Sequence, residues 1–256
     1  MADDNGQERF SGKVALVTGA ASGMGRAISV RVAGEGAQVY GLDIDGAGLA
    51  ETARTVGEAG GTMQVRQADV SSGSECRAAV DACVSAFGRL DVLGNVAGIA
   101  WGEHFTEVSE GDYRRMMGVN VDGYFFMAQA AIPHLLAAGG NIVNLASVAG
   151  VIGQAYTVVY CMTKGAVVQL TRGLAMEFAK TPLRVNAIAP GGIITNLTAG
   201  FRIPPDADFE LMAPYQGFRG MGTAEGVAAL FAFLASDEAA NIHGAIVTTD
   251  GGTTAG

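Results

Sequence analysis

From Val14 to Thr248 the chain alternates short β-branched runs with longer stretches of helical period, and this alternation constrains the fold more than any other feature. Strands separated by crossover helices pair in parallel, so the chain is expected to form a layered sheet rather than a sandwich. The runs predict strands at Val14–Thr18, Gln38–Leu42, Met63–Ala68, Val92–Gly94, Asn141–Leu145, Arg184–Ile188 and Ala245–Thr248. The periodicity between them predicts helices over Gly23–Glu35, Gly48–Ala59, Ser74–Phe87, Gly111–Ala137, Thr157–Lys180 and Ala224–Ala235. The expected architecture is α/β, a doubly wound, mostly parallel seven-stranded sheet with helices on both faces. No linker or repeat interrupts this register, so residues 1–256 read as one domain, with a frayed polar arm over 1–11 and a long functional loop over 191–222.

Charge and cysteine usage narrow the partners. Twenty-five acidic residues against sixteen basic ones give a formal charge of −9, which repels phosphate backbones and anionic bilayers at long range. Small neutral or cofactor-borne ligands fit that field, and neither nucleic acid nor a membrane is expected as a partner. The three cysteines, Cys76, Cys83 and Cys161, form no C-x-x-C and have no histidine at metal-ligand spacing, so neither a disulfide frame nor a metal site is indicated. A reducing, cytoplasmic setting follows. The acidic segment from Met1 to Phe10 lacks the features of a signal peptide, and apolar stretches break well short of the roughly twenty residues that span a bilayer.

The first strand runs into Thr18-Gly19-Ala20-Ala21-Ser22-Gly23-Met24-Gly25 and then a helix, which is where a doubly wound sheet binds a dinucleotide. Gly19 allows the tight turn, Gly23 lets the backbone approach a pyrophosphate, and Gly25 lets the helix pack close to the strand. The spacing is G-x-x-x-G-x-G, and a glycine-rich turn without a ligand is the alternative reading. Eighteen residues past Gly25 the second strand ends at Asp43, whose carboxylate can accept hydrogen bonds from adenine-ribose hydroxyls and would repel a 2′-phosphate. Residues 20–22 are Ala, Ala and Ser and residue 44 is Ile, so no cation stands ready for that phosphate, and NAD is favoured over NADP. Taken alone, Asp43 reads equally well as the N-cap of the next helix.

Tyr160 and Lys164 stand at i and i+4, on one face of a helix and about 6 Å apart at Cβ. A cation beside a phenol favours phenolate and brings a poor neutral-pH acid/base toward the working range, as hydride chemistry on a carbonyl requires. An amphipathic surface pair is the plainer alternative.

With these features in one order, the chain closely resembles the short-chain dehydrogenase/reductase family in its single-domain, Rossmann-like form. The markers are Thr18 with Gly19, Gly23 and Gly25; Asp43; Asp69-Val70; Asn95-Val96-Ala97-Gly98; Asn120; Ser147; Tyr160 with Lys164; and Pro190-Gly191-Gly192-Ile193-Ile194-Thr195. The resemblance implies Tyr160 as general acid/base, Ser147 on the substrate oxygen, Lys164 on the nicotinamide ribose while lowering the Tyr160 pKa, and Asn120 positioning a relay water. It implies Asp69 on the adenine amino group with the Val70 backbone beside it, and the Ile193 backbone and Thr195 hydroxyl on the carboxamide. Gly19, Ser22, Gly23, Met24, Gly25, Asn95, Ala97, Gly98, Pro190 and Gly191 complete the implied cofactor contacts. Val96 stands where the family has a second asparagine, leaving one fewer side-chain bond to set that loop. A homotetramer built partly through the helices near 111–137 and 157–180 is also implied.

The expected activity is hydride transfer between NAD and a secondary alcohol or ketone. Leu197, Phe201, Ile203, Phe209, Leu211, Met212, Tyr215, Phe218 and Met221 give the 191–222 loop the apolar surface of a lid, and Trp101 and Gln154 are expected at the pocket edge. An NADPH-dependent 3-oxoacyl-[acyl-carrier-protein] reductase is the alternative within the family. A non-catalytic dinucleotide-sensing module is the alternative outside enzymes, since binding NAD needs only the amino-terminal half of these features. A serine hydrolase is disfavoured, because Ser147 lies in no G-x-S-x-G and His104, His134 and His243 show no recognisable partner order.

Overall fold

In β1 (Val14–Thr18) successive side chains point to opposite faces of the sheet, and every residue is buried. Ala15 and Val17 enter the core on one side, Val14 and Leu16 the core on the other. A strand apolar on both faces needs helices on both, and the chain supplies them in alternation. In this computed structural model, which describes residues 8–215, 217 and 219–255, β1 is followed by α1 (Gly23–Gly34), β2 (Gln38–Asp43), α2 (Gly46–Glu58), β3 (Thr62–Gln67) and α3 (Gly73–Phe87). Next come β4 (Val92–Asn95), α4 (Glu110–Met117), α5 (Gly123–Ala138), β5 (Asn141–Leu145), α6 (Val158–Glu177) and β6 (Arg184–Pro190). The chain ends with β7 (Ile193–Ile194), α7 (Asn196–Ala199), β8 (Gly222–Thr223), α8 (Ala224–Ala235) and β9 (Ile246–Thr249).

The main sheet is parallel in the order β3-β2-β1-β4-β5-β6-β9. The order reverses between β1 and β4, leaving a crevice at the carboxyl ends of these strands. Helices α1, α2 and α8 cover one face through Ile28, Val32, Val56 and Phe231; α3 and α5 cover the other through Val80, Cys83, Met127 and Leu135. The third core cluster, around Tyr124, Val167 and Ala187, packs α6 against the sheet. Among the described residues no helix is long and apolar enough to cross a membrane, and no group of three or more metal-ligating side chains gathers.

Several expected elements differ in detail. The helix expected over Gly111–Ala137 is divided by one π-helical turn, Gly118–Asp122, whose central residue Asn120 is buried. Helix α2 starts at Gly46 because the Asp45 carboxylate accepts from the Ala47 and Gly48 amides, so Asp45, not Asp43, is its cap. The 191–222 loop carries structure of its own: a two-residue parallel ladder between β7 and β8, the short helix α7, and 3-10 turns at Phe209–Leu211 and Ala213–Tyr215. The arm expected over 1–11 is corrected at its inner end, where Phe10 is fully buried and the Arg9 guanidinium bonds Glu35 and Glu238. Residues 1–7 of that arm, and Phe218 of the lid, lie outside the described residues.

Two glycine substitutions separate close approach from backbone propensity. A Cβ on Gly25 would stand 2.0 Å from the Gly19 carbonyl oxygen, whereas one on Gly57 in α2 meets nothing within 4 Å. In urea denaturation, Gly25→Ala is expected to lose about 2–3 kcal/mol. Gly57→Ala is expected to gain about 0.5–1 kcal/mol.

Candidate active site

A cavity of about 560 Å³ follows the carboxyl ends of the central strands, from Asp43 and Asp69 at one end to Tyr160, Lys164 and Thr195 at the other. Its floor is the turn after β1. Gly19 adopts φ +70° and Gly23 φ +50°, and a Cβ on Gly19 would stand 3.0 Å from the Ala97 backbone, so the turn and the β4 loop are in direct backbone contact. The Thr18 hydroxyl locks them together by accepting from the Val96 and Ala97 amides at 2.9 and 3.0 Å. This anchor answers the missing second asparagine: Val96 turns its side chain into the core, and backbone amides do the positioning. Ser22 precedes α1 without capping it, which leaves the first-turn N–H groups free at the cavity floor. Cβ-free backbone, unpaired helix amides and a cavity of this volume together fit a dinucleotide.

Asp43 sits half-buried on the cavity wall, its Oδ2 accepting from the Ala21 amide at 3.1 Å and its Oδ1 from the Asp45 amide at 3.0 Å. The nearest cation on α1, Arg26, is turned away to the Ala21 and Gly48 carbonyls and the Thr52 hydroxyl. Asp69 is exposed on the same wall, where Oδ1 accepts from the Ser71 amide, and Val70 lies beside it under α5.

At the other end, Tyr160 and Lys164 project from the start of α6, and the Lys164 Nζ lies 5.8 Å from the Tyr160 ring centroid. Ser147 caps the 3-10 turn Val148–Gly150, which packs directly on α6: a Cβ on Gly150 would stand 2.5 Å from the Lys164 carbonyl oxygen. That contact sets Ser147, which is not among the residues lining the cavity, beside the Tyr160 phenol. Burial pushes the Tyr160 phenol above its ordinary range, and the Ser147 hydrogen bond acts in the opposite, smaller sense. Burial pulls the Lys164 ammonium down to about 7. The net direction at Tyr160 is upward, because desolvation outweighs the Ser147 hydrogen bond.

Asn120 holds the site together from the π turn. Its Oδ1 accepts from the Ile99 amide at 2.9 Å, and its Nδ2 donates to the Ile99 carbonyl at 2.8 Å and the Thr163 hydroxyl at 3.2 Å. The cavity is lined by Gly19, Ser22, Gly23, Met24, Gly25, Asp43, Asp69, Val70, Ala97, Gly98, Tyr160, Lys164 and Thr195. Asn95 is not among these; it is buried behind the wall, donating to Asn144 Oδ1 at 3.0 Å. Pro190, Gly191 and Ile193 also stand behind the lining, with Gly191 against the Asp250 backbone and Ile193 in the core. Thr195 closes that side: it caps α7 and lies 3.4 Å from where a Gly23 Cβ would be.

Trp101 and Gln154 lie off this cavity. Trp101 stacks under the Arg115 guanidinium at 6.0 Å, and Gln154 is half-buried before α6. The lid is tied to the same loops: the Tyr156 hydroxyl accepts from the Asp208 amide, the Tyr215 hydroxyl donates to the Ala155 carbonyl, and His104 pairs with Asp206 at 2.8 Å. Leu197 faces the cavity, while Phe209, Leu211 and Met221 are exposed. Tyr124, Gly150 and Ile99 were not legible as site residues; an aromatic in an apolar helix and one glycine among 38 carry no distinguishing signal.

The Lys164 value makes a stability prediction. Folded Lys164 releases its proton near 7 and the unfolded chain near 10.5, so the unfolded state holds the extra proton between them. Wild type is expected to gain stability relative to Lys164→Met as pH rises across that window, measured as the difference between urea unfolding free energies. A constant difference contradicts the burial of the ammonium.

The geometry agrees with comparisons to known proteins. A family model described as "Enoyl-(Acyl carrier protein) reductase" matches residues 19–254. The meso-2,3-butanediol dehydrogenase of Serratia marcescens is 39% identical over 250 residues, covering 96% of each chain. Two solved structures superpose closely. A short chain dehydrogenase from Mycobacterium paratuberculosis bound to NAD has a TM-score of 0.90 and 30% identity, covering 97% of this chain and 100% of that one. One from Burkholderia cenocepacia in complex with NADP has a TM-score of 0.86 and 31% identity, covering 96% and 99%. With the motifs, the sheet order and these matches in agreement, the chain belongs to the short-chain dehydrogenase/reductase family of oxidoreductases.

Proposed function

We propose that the protein is an NAD-dependent oxidoreductase that moves hydride between the nicotinamide cofactor and a secondary alcohol or its ketone. The observation that carries this reading is the pairing of Tyr160 and Lys164 at one end of a cavity whose other end carries Asp43, with Ser147 beside the Tyr160 phenol. NAD, when bound, supplies the hydride acceptor. The Gly19–Gly25 turn and α1 amides would hold its pyrophosphate, Asp43 the adenine ribose, and Asp69 with the Val70 backbone the adenine. Lys164 would hold the nicotinamide ribose, and Thr195 with the Ile193 backbone the carboxamide. In oxidation the Tyr160 phenolate accepts the alcohol proton, and in reduction the phenol returns it to the nascent alkoxide. Ser147 donates a hydrogen bond to the same substrate oxygen. The charged Lys164 favours phenolate, offsetting part of the cost of burying Tyr160. Lid residues over Thr195 and Leu197 exclude water from the reacting atoms.

NAD is favoured over NADP because Asp43, on the cavity wall, would meet the adenine ribose and repel a 2′-phosphate, and Arg26 is bonded elsewhere. A small secondary alcohol is favoured by the apolar lid and by the likeness to the Serratia marcescens butanediol enzyme. A second reading, an NADPH-dependent 3-oxoacyl-[acyl-carrier-protein] reductase, draws support from the family model's description. The formal charge of −9 and Asp43 oppose it, since both repel a phosphorylated cofactor or an acidic carrier protein. A non-catalytic dinucleotide sensor has no use for the gathered Ser147, Tyr160 and Lys164. Exposed Phe125, Met162 and Met176 on α5 and α6 support a homotetramer, and free cysteines support a cytoplasmic setting.

Tyr160→Phe tests the reading. Turnover of a secondary-alcohol panel with NAD is expected to fall by about 10²–10⁴-fold while NADH affinity stays within about twofold. Unchanged turnover, or wild-type activity confined to primary alcohols or thioesters, contradicts it.

A further inference from the structure

Tyr124 on α5 is buried and has no role in the scheme above, yet it is in contact with the one cation of that scheme. Its hydroxyl donates to the Leu145 carbonyl at 2.9 Å and accepts from the Lys164 Nζ at 3.3 Å. The Lys164 Nζ donates to the same Leu145 carbonyl at 2.7 Å and stands 5.1 Å from the Tyr124 ring centroid. Two of the three ammonium N–H groups are thereby fixed, leaving the third for the cavity that Lys164 lines. Among the described residues no carboxylate bonds this ammonium. The titratable groups that face it are Tyr160 on its own helix and Tyr124 across from it on α5. From β5 it meets the Leu145 carbonyl, and the β4 loop approaches it at Gly98, where a Cβ would lie 3.6 Å away. A buried cation without an acid partner depends on neutral acceptors and ring faces.

We propose that Tyr124 is a positioning residue for the hydride-transfer reaction, holding the Lys164 ammonium with its hydroxyl and ring face at the place from which it acts on Tyr160. This rests on the reading of Tyr160 as the general acid/base. Tyr124 bonds the charged form of Lys164, so loss of its hydroxyl favours the neutral amine. A hydroxyl that merely satisfied the Leu145 carbonyl would affect stability alone.

The chain has three lysines, Lys13, Lys164 and Lys180, so a ¹³Cε-lysine-labelled sample gives three side-chain signals, and Lys164→Met identifies the one that matters. Tyr124→Phe, which keeps the ring, is expected to lower the Lys164 titration midpoint by about one pH unit, a tenfold change in its ionisation constant. In steady-state assays kcat is expected to fall about tenfold with KM within about twofold. The alkaline limb of the kcat profile is expected to move to lower pH by the same unit, because the neutral amine no longer favours phenolate. A lowered melting temperature with the Lys164 titration and kcat unmoved overturns the proposal, as does a shifted titration with unchanged kcat. Wild-type protein inactive on every secondary alcohol sinks the functional reading instead, and the lysine titration still decides whether Tyr124 holds the ammonium.

Discussion

Two asparagine amides inside the sheet determine where the catalytic helix lies. Asn95 and Asn144 are paired in register on β4 and β5, both buried, and a buried amide left unpaired costs about 1–3 kcal/mol. Asn95 donates to Asn144, Asn144 donates to the Thr171 hydroxyl at 2.9 Å, and Thr171 donates to the Val167 carbonyl at 2.8 Å. Sliding or rotating α6 would break this chain, so α6 has one seating on the sheet. Thr171 lies two turns from Lys164 and three from Tyr160, and that seating therefore places phenol and ammonium over the strand ends. The Gly150 approach then brings Ser147 up to Tyr160, and Tyr124 holds the lysine from the other side.

The cofactor half depends on closeness rather than on a polar chain. Gly25 against the Gly19 carbonyl, Gly19 against Ala97 and the Thr18 hydroxyl under Val96 and Ala97 draw the ends of β1 and β4 together at the topological switch point. Asn120 joins the two halves, since its amide fixes Ile99 on the β4 loop and the Thr163 hydroxyl on α6. The π turn that presents Asn120 is a local distortion at a functional position.

Much of this was legible in the sequence because it obeys local rules. The two-face burial of β1 produces a nearly continuous apolar run, Ile142-Val143 marks β5, and both strands lie where predicted, at Val14–Thr18 and Asn141–Leu145. Helix α8 likewise spans Ala224–Ala235 as its period implies. The π turn was not legible, since α5 is apolar on nearly every side and so conceals the change of face that one extra residue produces. Asp43 and Asp45 are two residues apart, and only the backbone path shows which one caps α2. Asn95 carried the family's cofactor motif, but it is the last residue of β4 and its amide is engaged with Asn144 inside the sheet, which the motif does not reveal. Tyr124 was hidden for a different reason: helix α5 is apolar on nearly every side, so a phenol buried there looks like core until its contact with Lys164 is seen.

The claim on which the account turns is that the cavity at the strand ends holds a nicotinamide dinucleotide and that Asp43 selects its unphosphorylated form. Titration of the purified protein with NADH and with NADPH, read by nicotinamide fluorescence, tests it most directly, with Asp43→Asn removing the charge while keeping a side-chain acceptor. The account predicts NADH binding at least about tenfold tighter than NADPH in wild type, a difference of about 1.4 kcal/mol, and a narrowed gap in the variant. Preferential NADPH binding by wild type would contradict the role of Asp43, and failure to bind either nucleotide would contradict the cavity's assignment altogether.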